Sequence, residues 1–306
     1  MKTVAVITRT KNRELLLTRA MESVQAQVFK DYVWVVVNDG GRKEGVESIV
    51  GRAKAKGVDA MIIHNGCSKG MEAASNIGIR ACKSKYIVIH DDDDSWEKNF
   101  LEKTVKFLES EDGSLFGGVV THSMQVEEVL EGDSCRIVNK RPFNSWLKTI
   151  YVFDMARSNA FPPISFLFKR EIYDTVGGYD ESLPVLGDWD FNLRFLLQAD
   201  IAIIPELLSN YHHRVNTPPA DYCNTVIHGV DKHALYDMVI RNRNIRNCIK
   251  DGSYSLGQLV NDARIAREIT GSVNTLSQTI SEVKRIVAGT IIGRVILRAF
   301  GIGYRA

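Results

Sequence analysis

Residues 90–96 read His-Asp-Asp-Asp-Asp-Ser-Trp, four consecutive carboxylates placed directly after the apolar run Tyr86 to Ile89. Aspartate has poor strand propensity and like charges repel, so the run does not continue a strand and needs a compensating cation or water. One reading is a solvated turn in which Asp93 or Asp94 caps a helix starting near Glu97. The other is a cation site. Oxygen ligands at the carboxyl edge of a nucleotide-type sheet suit Mg²⁺ or Mn²⁺, with two carboxylates on the ion and diphosphate oxygens completing its shell. A second acidic pair stands in Gly187-Asp188-Trp189-Asp190, where helix capping and first-turn charge compete with a chemical role. Tyr-His-His-Arg at 211–214 adds two imidazoles after a predicted strand, a pair of a kind more often structural than ligating.

Four β-branched runs must position these groups: TVAVIT (3–8), VWVVV (33–37), DAMII (59–63) and YIVIH (86–90). They alternate with helix-like stretches, which predicts a parallel sheet with helices on its faces. The first crossover helix is ELLLTRAMESVQAQ, with Leu16, Leu17, Ala20 and Val24 at helical spacing. Ligands of such sheets bind beyond the carboxyl ends of the strands. Those ends carry TRTKNR (8–13), NDGG (38–41), HNGCSKG (64–70) and the acidic run, all polar. The Gly40-Gly41 pair permits a tight turn beside Asp39, and the helix opening at GMEAASNIGI would present its N-terminus near Gly70 to a phosphate. Further on, the pattern predicts a helix over EKNFLEKTVKFLES and a strand over GGVVTHSMQVEEV. Residues 161–198 then give a Pro-bounded strand, a short helix, a Gly turn and a helix beginning near Asp188.

The chain's 306 residues, 44% hydrophobic and 25% charged, suffice for one large domain and an appendage. Its 39 basic and 37 acidic residues give a formal charge of +2, so no chain-wide field draws nucleic acid. The five cysteines (Cys67, Cys82, Cys135, Cys223 and Cys248) have no paired spacing and fit plain thiols in a reducing cytosol. With no signal-peptide core and no apolar run of spanning length, the expectation is a cytoplasmic protein. Beyond Pro218 the composition turns helical. Ala266, Ile269, Val273, Leu276, Ile280, Val283 and Val287 follow alternating steps of three and four, a heptad seam over 266–287 that predicts a coiled coil and a homo-oligomer. The basic amphipathic tail, 284–306, with Arg294 and Arg298 on one helical face, fits either packing on protein or docking at the inner face of a membrane.

Five stretches in order resemble the metal-dependent family 2 glycosyltransferases of GT-A fold: VAVITRTKNR, VVVNDGG, SKGMEAASNIGI, IHDDDDSW and GYDESLPVLGDWDFNLRF. The resemblance covers roughly residues 3–215 and implies a GT-A catalytic domain over 1–217, with nucleotide-sugar binding in about 1–96 and the acceptor side in about 97–217. A helical region, 218–306, would follow. By position, Asp39 would read the nucleobase, with Arg9 and Thr10 near the base and ribose. Lys69 and Asn76 would lie near the ribose or diphosphate, although Asn76 equally fits a role in its own helix turn. Asp91 and Asp93 would be the Asp-x-Asp pair, Asp91 nearer the ribose and Asp93 on the Mn²⁺ or Mg²⁺, with Asp92 between them and Asp94 orienting the loop. One of His212 and His213 would complete the metal site.

The family usually has Glu-Asp where this chain has Gly187-Asp188, so the base assignment rests on Asp188, with Trp189 and Asp190 on the acceptor side. The implied reaction is an inverting hexosyl-type transfer from a nucleotide-diphosphate sugar to a hydroxyl of a glycan or lipid-linked acceptor, as in cell-surface polysaccharide synthesis. Asp188 would take the acceptor's proton as its oxygen attacks the anomeric carbon. Two other readings compete: a phosphatase of the aspartyl-phosphate type, whose Asp-x-Asp-x-Thr/Ser motif DDDDS also matches, and a non-catalytic sugar-nucleotide-binding or assembly module.

Overall fold

The computed structural model describes residues 1–215, Tyr222 and 230–288. Its first half alternates strand and helix as expected: β1 (Lys2–Thr10), α1 (Glu14–Gln25), β2 (Tyr32–Asp39), α2 (Lys43–Ala55), β3 (Ala60–Asn65), α3 (Met71–Arg80) and β4 (Ser84–Ile89). The two-residue β5 (Ser95–Trp96) and α4 (Phe100–Leu108) follow, then β6 (Gly118–Glu131), β7 (Ser134–Pro142), α5 (Val152–Arg157), β8 (Phe166–Lys169), α6 (Arg170–Val176), α7 (Gly187–Leu196) and β9 (Ile201–Arg214). Two long helices, α8 (Val230–Asp251) and α9 (Leu256–Ala288), complete the described chain.

Among the described residues nine strands form one sheet in the order β3-β2-β1-β4-β8-β6-β9-β5, with β7 paired to β6. The first four strands are mutually parallel, as their helical crossovers require. Beyond β4 the sheet becomes mixed: β8 runs antiparallel to β4 and β6, while β6 and β9 pair in parallel. The alternation of side chains divides the core. Val4, Val6, Trp34 and Val36 join Leu17, Met21 and Val24 of α1 and Val46, Ile49 and Val50 of α2 in one cluster. On the other face α3 lies so close that a Cβ on Gly78 would stand 2.7 Å from Ile7 Cγ2 and 3.0 Å from Val37 Cγ2. A strand buried on both faces reads as a continuous apolar run, which is why VWVVV carries no alternation.

Several local expectations are revised. No helix begins at Glu97, because Ser95 and Trp96 pair with Asn210 and Ser209 of β9 and the helix waits until Phe100. The hairpin strand β7, mostly exposed, was not foreseen. Tyr211 to Arg214 do not follow a strand but are its last four residues, paired with Gln125 to Glu128 of β6.

The chain divides into two compact units, Met1–Met238 and Val239–Ala306, a boundary beyond the expected 217/218. In the second unit Ile269, Val273, Leu276, Ile280 and Val283 are each between 46% and 61% exposed, so the heptad seam is helical and uncovered. Of the basic tail, residues 289–306 lie outside the described residues. No described helix is long and apolar enough to cross a membrane, and Cys67, Cys82, Cys135 and Cys248 are free thiols.

Candidate active site

The carboxyl ends of β1, β2 and β4, the start of α3 and the start of α7 converge on a cavity of about 580 Å³, within the range of small-molecule sites. Among its walls are Arg9, Thr10, Asp39, Asp91, Asp92, Asp93, Asp94, Asp188 and His213. Lys69, Asn76, His212, Trp189 and Asp190 are not among them.

The acidic run is compensated by arginines brought from elsewhere in the chain. Arg9 Nε donates to Asp91 Oδ1 at 2.8 Å, and Arg13 Nη1 donates to Asp92 Oδ1 at 3.3 Å and lies 3.6 Å from Asp93 Oδ2. Arg214, whose side chain is fully buried, bridges Asp93 and Glu128, and Arg19 joins the Asp93 carbonyl to Glu128. Among the described residues Asp94 makes no arginine ion pair; its Oδ1 accepts the His212 backbone N–H at 2.8 Å, which ties the loop to β9. Burial raises Asp94 well above the usual carboxylate range, and its acidic neighbours Asp93 and Asp91 add to the rise. Asp93 moves the opposite way: burial would raise it, but Arg214 and Arg13 hold it low. Neighbouring acids thus take different protonation tendencies from different partners.

The two histidines separate because successive strand residues face opposite sides. His212 points with Arg214 into the ion-pair network, its Nδ1 at 3.0 Å from Glu128 and its Nε2 at 2.9 Å from Ser95 Oγ. Both ring nitrogens of His212 are engaged in hydrogen bonds, and His212 does not line the cavity. His213 faces the cavity edge-on to Tyr211, with ring centroids 4.3 Å apart. Its Nδ1 meets Gln125 Nε2 at 3.2 Å, while its Nε2 is buried with no hydrogen-bond partner. Buried polar atoms are rarely left so, and an orphaned imidazole nitrogen beside an excess of carboxylates suits a divalent cation. Among the described residues no three His, Cys, Asp or Glu side chains form a ready metal cluster.

Asp39 is saturated. Its oxygens accept from Asn65 Nδ2, Ser68 Oγ and the backbone N–H groups of Lys69 and Gly70, all within 3.0 Å, and these bonds hold its carboxyl below the usual range against the cost of burial. Lys69 therefore enters through its backbone rather than its ammonium group. Gly40 makes this turn possible: its φ is +77°, and a Cβ there would stand 2.4 Å from the Ser68 nitrogen. The expectation for Asn76 is corrected. Its amide donates to Tyr179 O and Glu181 and accepts from Tyr173 and the Tyr179 N–H, so all its capacity goes to holding the 173–181 segment.

On the opposite wall, Leu186 adopts a left-handed φ of 62° and starts α7, a strained conformation that launches Asp188 into the cavity. Asp188 Oδ2 accepts from Asn159 Nδ2 at 2.8 Å, and Asn192 Nδ2 fixes Asn159 at 3.2 Å. Burial raises the Asp188 carboxyl above its ordinary value. Trp189 is 3% exposed and donates Nε1 to Met155 O, and Asp190 is tied to Arg194 at 2.7 Å. Neither reaches the acceptor side as expected, because helical geometry turns both away from the direction of Asp188. Sequence reasoning missed Arg13, Arg19, Glu72, Glu128, Asn159 and Arg214. No local pattern marks them, since each meets its partner only across the fold.

An α/β sheet with an acid-lined cavity at its strand ends defines a nucleotide-binding class of fold. The family model described as Glycosyl transferase family 2 matches residues 5–177, more than half of the chain, and the chain belongs to that family. It is 26% identical over 203 residues to the uncharacterized glycosyltransferase YwdF of Bacillus subtilis, covering 66% of this chain and 71% of that one. It is 25% identical over 214 residues to a PGL/p-HBAD biosynthesis glycosyltransferase of Mycobacterium bovis, covering 69% and 74%. Among solved structures it resembles S. aureus TarS 1-349 in complex with UDP-GlcNAc, with a TM-score of 0.57, 16% identity and coverage of 70% of this chain but only 60% of that one. The mannosyltransferase PcManGT of Pyrobaculum calidifontis, in complex with GDP-Man and Mn²⁺, gives a TM-score of 0.52 at 14% identity, covering 87% and 80%. These likenesses establish the GT-A fold.

Replacing Arg214 with Leu leaves Asp93 and Glu128 as buried, under-compensated acids, and should cost about 3–5 kcal/mol of stability near neutral pH. Burial would raise Glu128, but its His212 and Arg19 contacts hold it down to about 2. A depressed carboxyl stabilises fully above its unfolded value and loses that contribution as pH falls through the folded value. The Arg214→Leu deficit should therefore shrink as pH is lowered from about 4.5 towards 2. Urea denaturation across that range checks this; a deficit independent of pH would show that Arg214 acts by packing alone.

Proposed function

We propose that this chain transfers a glycosyl group, with inversion, from a nucleotide-diphosphate sugar to an acceptor hydroxyl, and that Asp188 is the base. The observation that carries this reading is the Asp188 carboxyl itself. It faces the cavity, is raised by burial, is oriented by Asn159 and has no arginine or lysine in ion-pair reach among the described residues. A carboxylate so placed can take the acceptor's proton as its oxygen attacks the anomeric carbon, while the nucleoside diphosphate leaves. Asp39, Thr10 and Arg9 line the donor side. UDP-GlcNAc in TarS and GDP-Man in the mannosyltransferase support a nucleotide-sugar donor. The apolar walls Phe143, Phe161, Pro162 and Val185 suit a glycan or lipid-linked acceptor.

Asp91, Asp93 and the Nε2 of His213 line one cavity, though among the described residues they are not gathered into a metal cluster; these are the residues that would hold a divalent cation, Mn²⁺ or Mg²⁺. When bound, such an ion neutralises the departing diphosphate. The Mn²⁺ reported with the mannosyltransferase supports this. The phosphatase reading loses ground because the DDDDS motif follows the fourth strand rather than the first.

A screen of nucleotide sugars against glycan and lipid-linked acceptors, with and without Mn²⁺, tests the function. Asp188→Asn should retain donor affinity and lose transfer on the order of a hundredfold or more. Near-normal transfer by that variant would place the base elsewhere. In calorimetry with the nucleoside diphosphate, His213→Ala should weaken the Mn²⁺-dependent part of binding, and His212→Ala should not. Equal effects of the two would remove His213 from the metal.

The uncovered seam of α9 is proposed to pair with a second copy of the chain. Its apolar positions repeat over about three heptads, with Asn274, Ser277 and Gln278 beside them, a pattern complementary to itself. Leu276→Asp with Ile280→Asp would bury unpaired charge at a cost of roughly several kcal/mol per assembly. Light scattering should show the assembly dissociating while circular dichroism shows the catalytic unit still folded; a wild-type chain that is monomeric at micromolar concentration refutes the pairing.

A further inference from the structure

Gly187 stands where the resemblance leads one to expect an acid beside Asp188, and the structure shows what occupies the space. A Cβ built on Gly187 would fall 2.3 Å from Cδ and 2.5 Å from Oε1 of Glu72. The Glu72 carboxyl, carried by the first turn of α3, therefore lies where a side chain at 187 would begin. Any side chain at 187 would force the Glu72 carboxyl from this position. Glu72 is 3% exposed, yet it belongs to the cavity wall together with Asp188 and Asp91. Its only charged partner among the described residues is Arg9, whose Nη1 is 3.6 Å from Oε2, too long for a hydrogen bond. Oε2 is buried with no hydrogen-bond partner. A buried carboxyl is normally satisfied several times over; here the fold has taken one from another element, placed it at the reaction cavity and left it unsatisfied.

We propose that Glu72 is a substrate-binding acid of this site, supplied by α3 in place of residue 187, whose carboxyl accepts a hydrogen bond from a hydroxyl of the sugar held beside Asp188. This rests on the glycosyl-transfer reading of the cavity. A sugar hydroxyl has the required chemistry: it donates one hydrogen bond and brings no charge into a pocket already crowded with acids. The hydroxyl belongs either to the transferring sugar or to the acceptor, and the two are separable by experiment. Arg9 joins Glu72 to Asp91, so the sugar-binding acid and the acidic run share one cation, which sets their spacing.

Four variants test the proposal: Glu72→Gln, Glu72→Ala, Gly187→Glu and the double Glu72→Ala with Gly187→Glu. Losing the bond altogether, in Glu72→Ala, corresponds to roughly a ten- to hundredfold effect, and exchanging the carboxylate for the neutral amide acceptor of Glu72→Gln to roughly a tenfold one or less. Glu72→Gln, which keeps the side chain's volume, should melt like the wild type. If the hydroxyl is the donor sugar's, this variant should bind UDP and GDP normally in calorimetry but bind the nucleotide sugar more weakly. If the hydroxyl is the acceptor's, both affinities stay normal and the acceptor KM rises. Gly187→Glu alone should lower the melting temperature, because two acids then compete for one space. The double variant should melt above it and transfer faster than Glu72→Ala. Glu72→Ala with both affinities and the acceptor KM unchanged overturns the proposal, as does a folded double variant no faster than Glu72→Ala. Asp188→Asn assayed in parallel separates the two claims. If it transfers normally, the base assignment fails, and Glu72 is still judged by its own affinities and by the melting temperatures.

Discussion

Everything at the mouth of this sheet depends on neutralising four adjacent aspartates. Two like unit charges about 4 Å apart repel by about 4 kcal/mol at the effective dielectric of a protein surface, so Asp91 to Asp94 cannot all stand ionised and alone. The fold answers with guanidinium groups from separate elements: Arg9 at the end of β1, Arg13 in the following loop, Arg19 on α1 and Arg214 at the end of β9. Because β9 is separated from β4 by β8 and β6 in the sheet, the bridge from Arg214 to Asp93 also fixes the position of the sheet's far half against its nucleotide-type half. The ion pairs here are therefore constraints on geometry as much as on charge. Burying them carries a desolvation cost that good geometry must offset.

The compensation is incomplete in one direction. Carboxyls outnumber guanidiniums along the cavity wall, and burial leaves Asp92, Asp94, Glu72 and Asp188 raised, Asp92 in spite of Arg13 beside it. Glu72 rises to about 7. The cavity carries surplus negative charge and, among the described residues, an imidazole nitrogen on His213 without a hydrogen-bond partner, the features on which the proposed cation and hydroxyl donors rest. Rigid parts of the sheet hold the acids, while the strained Leu186 and the pinned Asn159 aim Asp188 from the opposite wall.

Much of this was legible in the chain's order of residue types. The apolar runs located β1 to β4, the polar strand ends located the cavity, and the five ordered motifs identified the family, because strand period, turn chemistry and short motifs are local properties. Local patterns also placed Asp39, Asp91, Asp93 and Asp188 on one cavity. They could not tell that Asn76 spends its amide on Tyr173, Tyr179 and Glu181, or that Trp189 and Asp190 turn inward beside an outward Asp188.

What the sequence determined by itself was the class of fold and the family, since both follow from neighbours along the chain. Tertiary structure alone decided which cation meets which acid, because Arg214 and Asp93 are brought together only by the completed sheet. It turned His213 towards the cavity and His212 into the ion-pair network by the two-residue period of β9, which extends through Arg214. It also decided that the acid missing at 187 is replaced from 72: a glycine declares only that a side chain is absent, and which group enters the space depends on how closely α3 approaches α7.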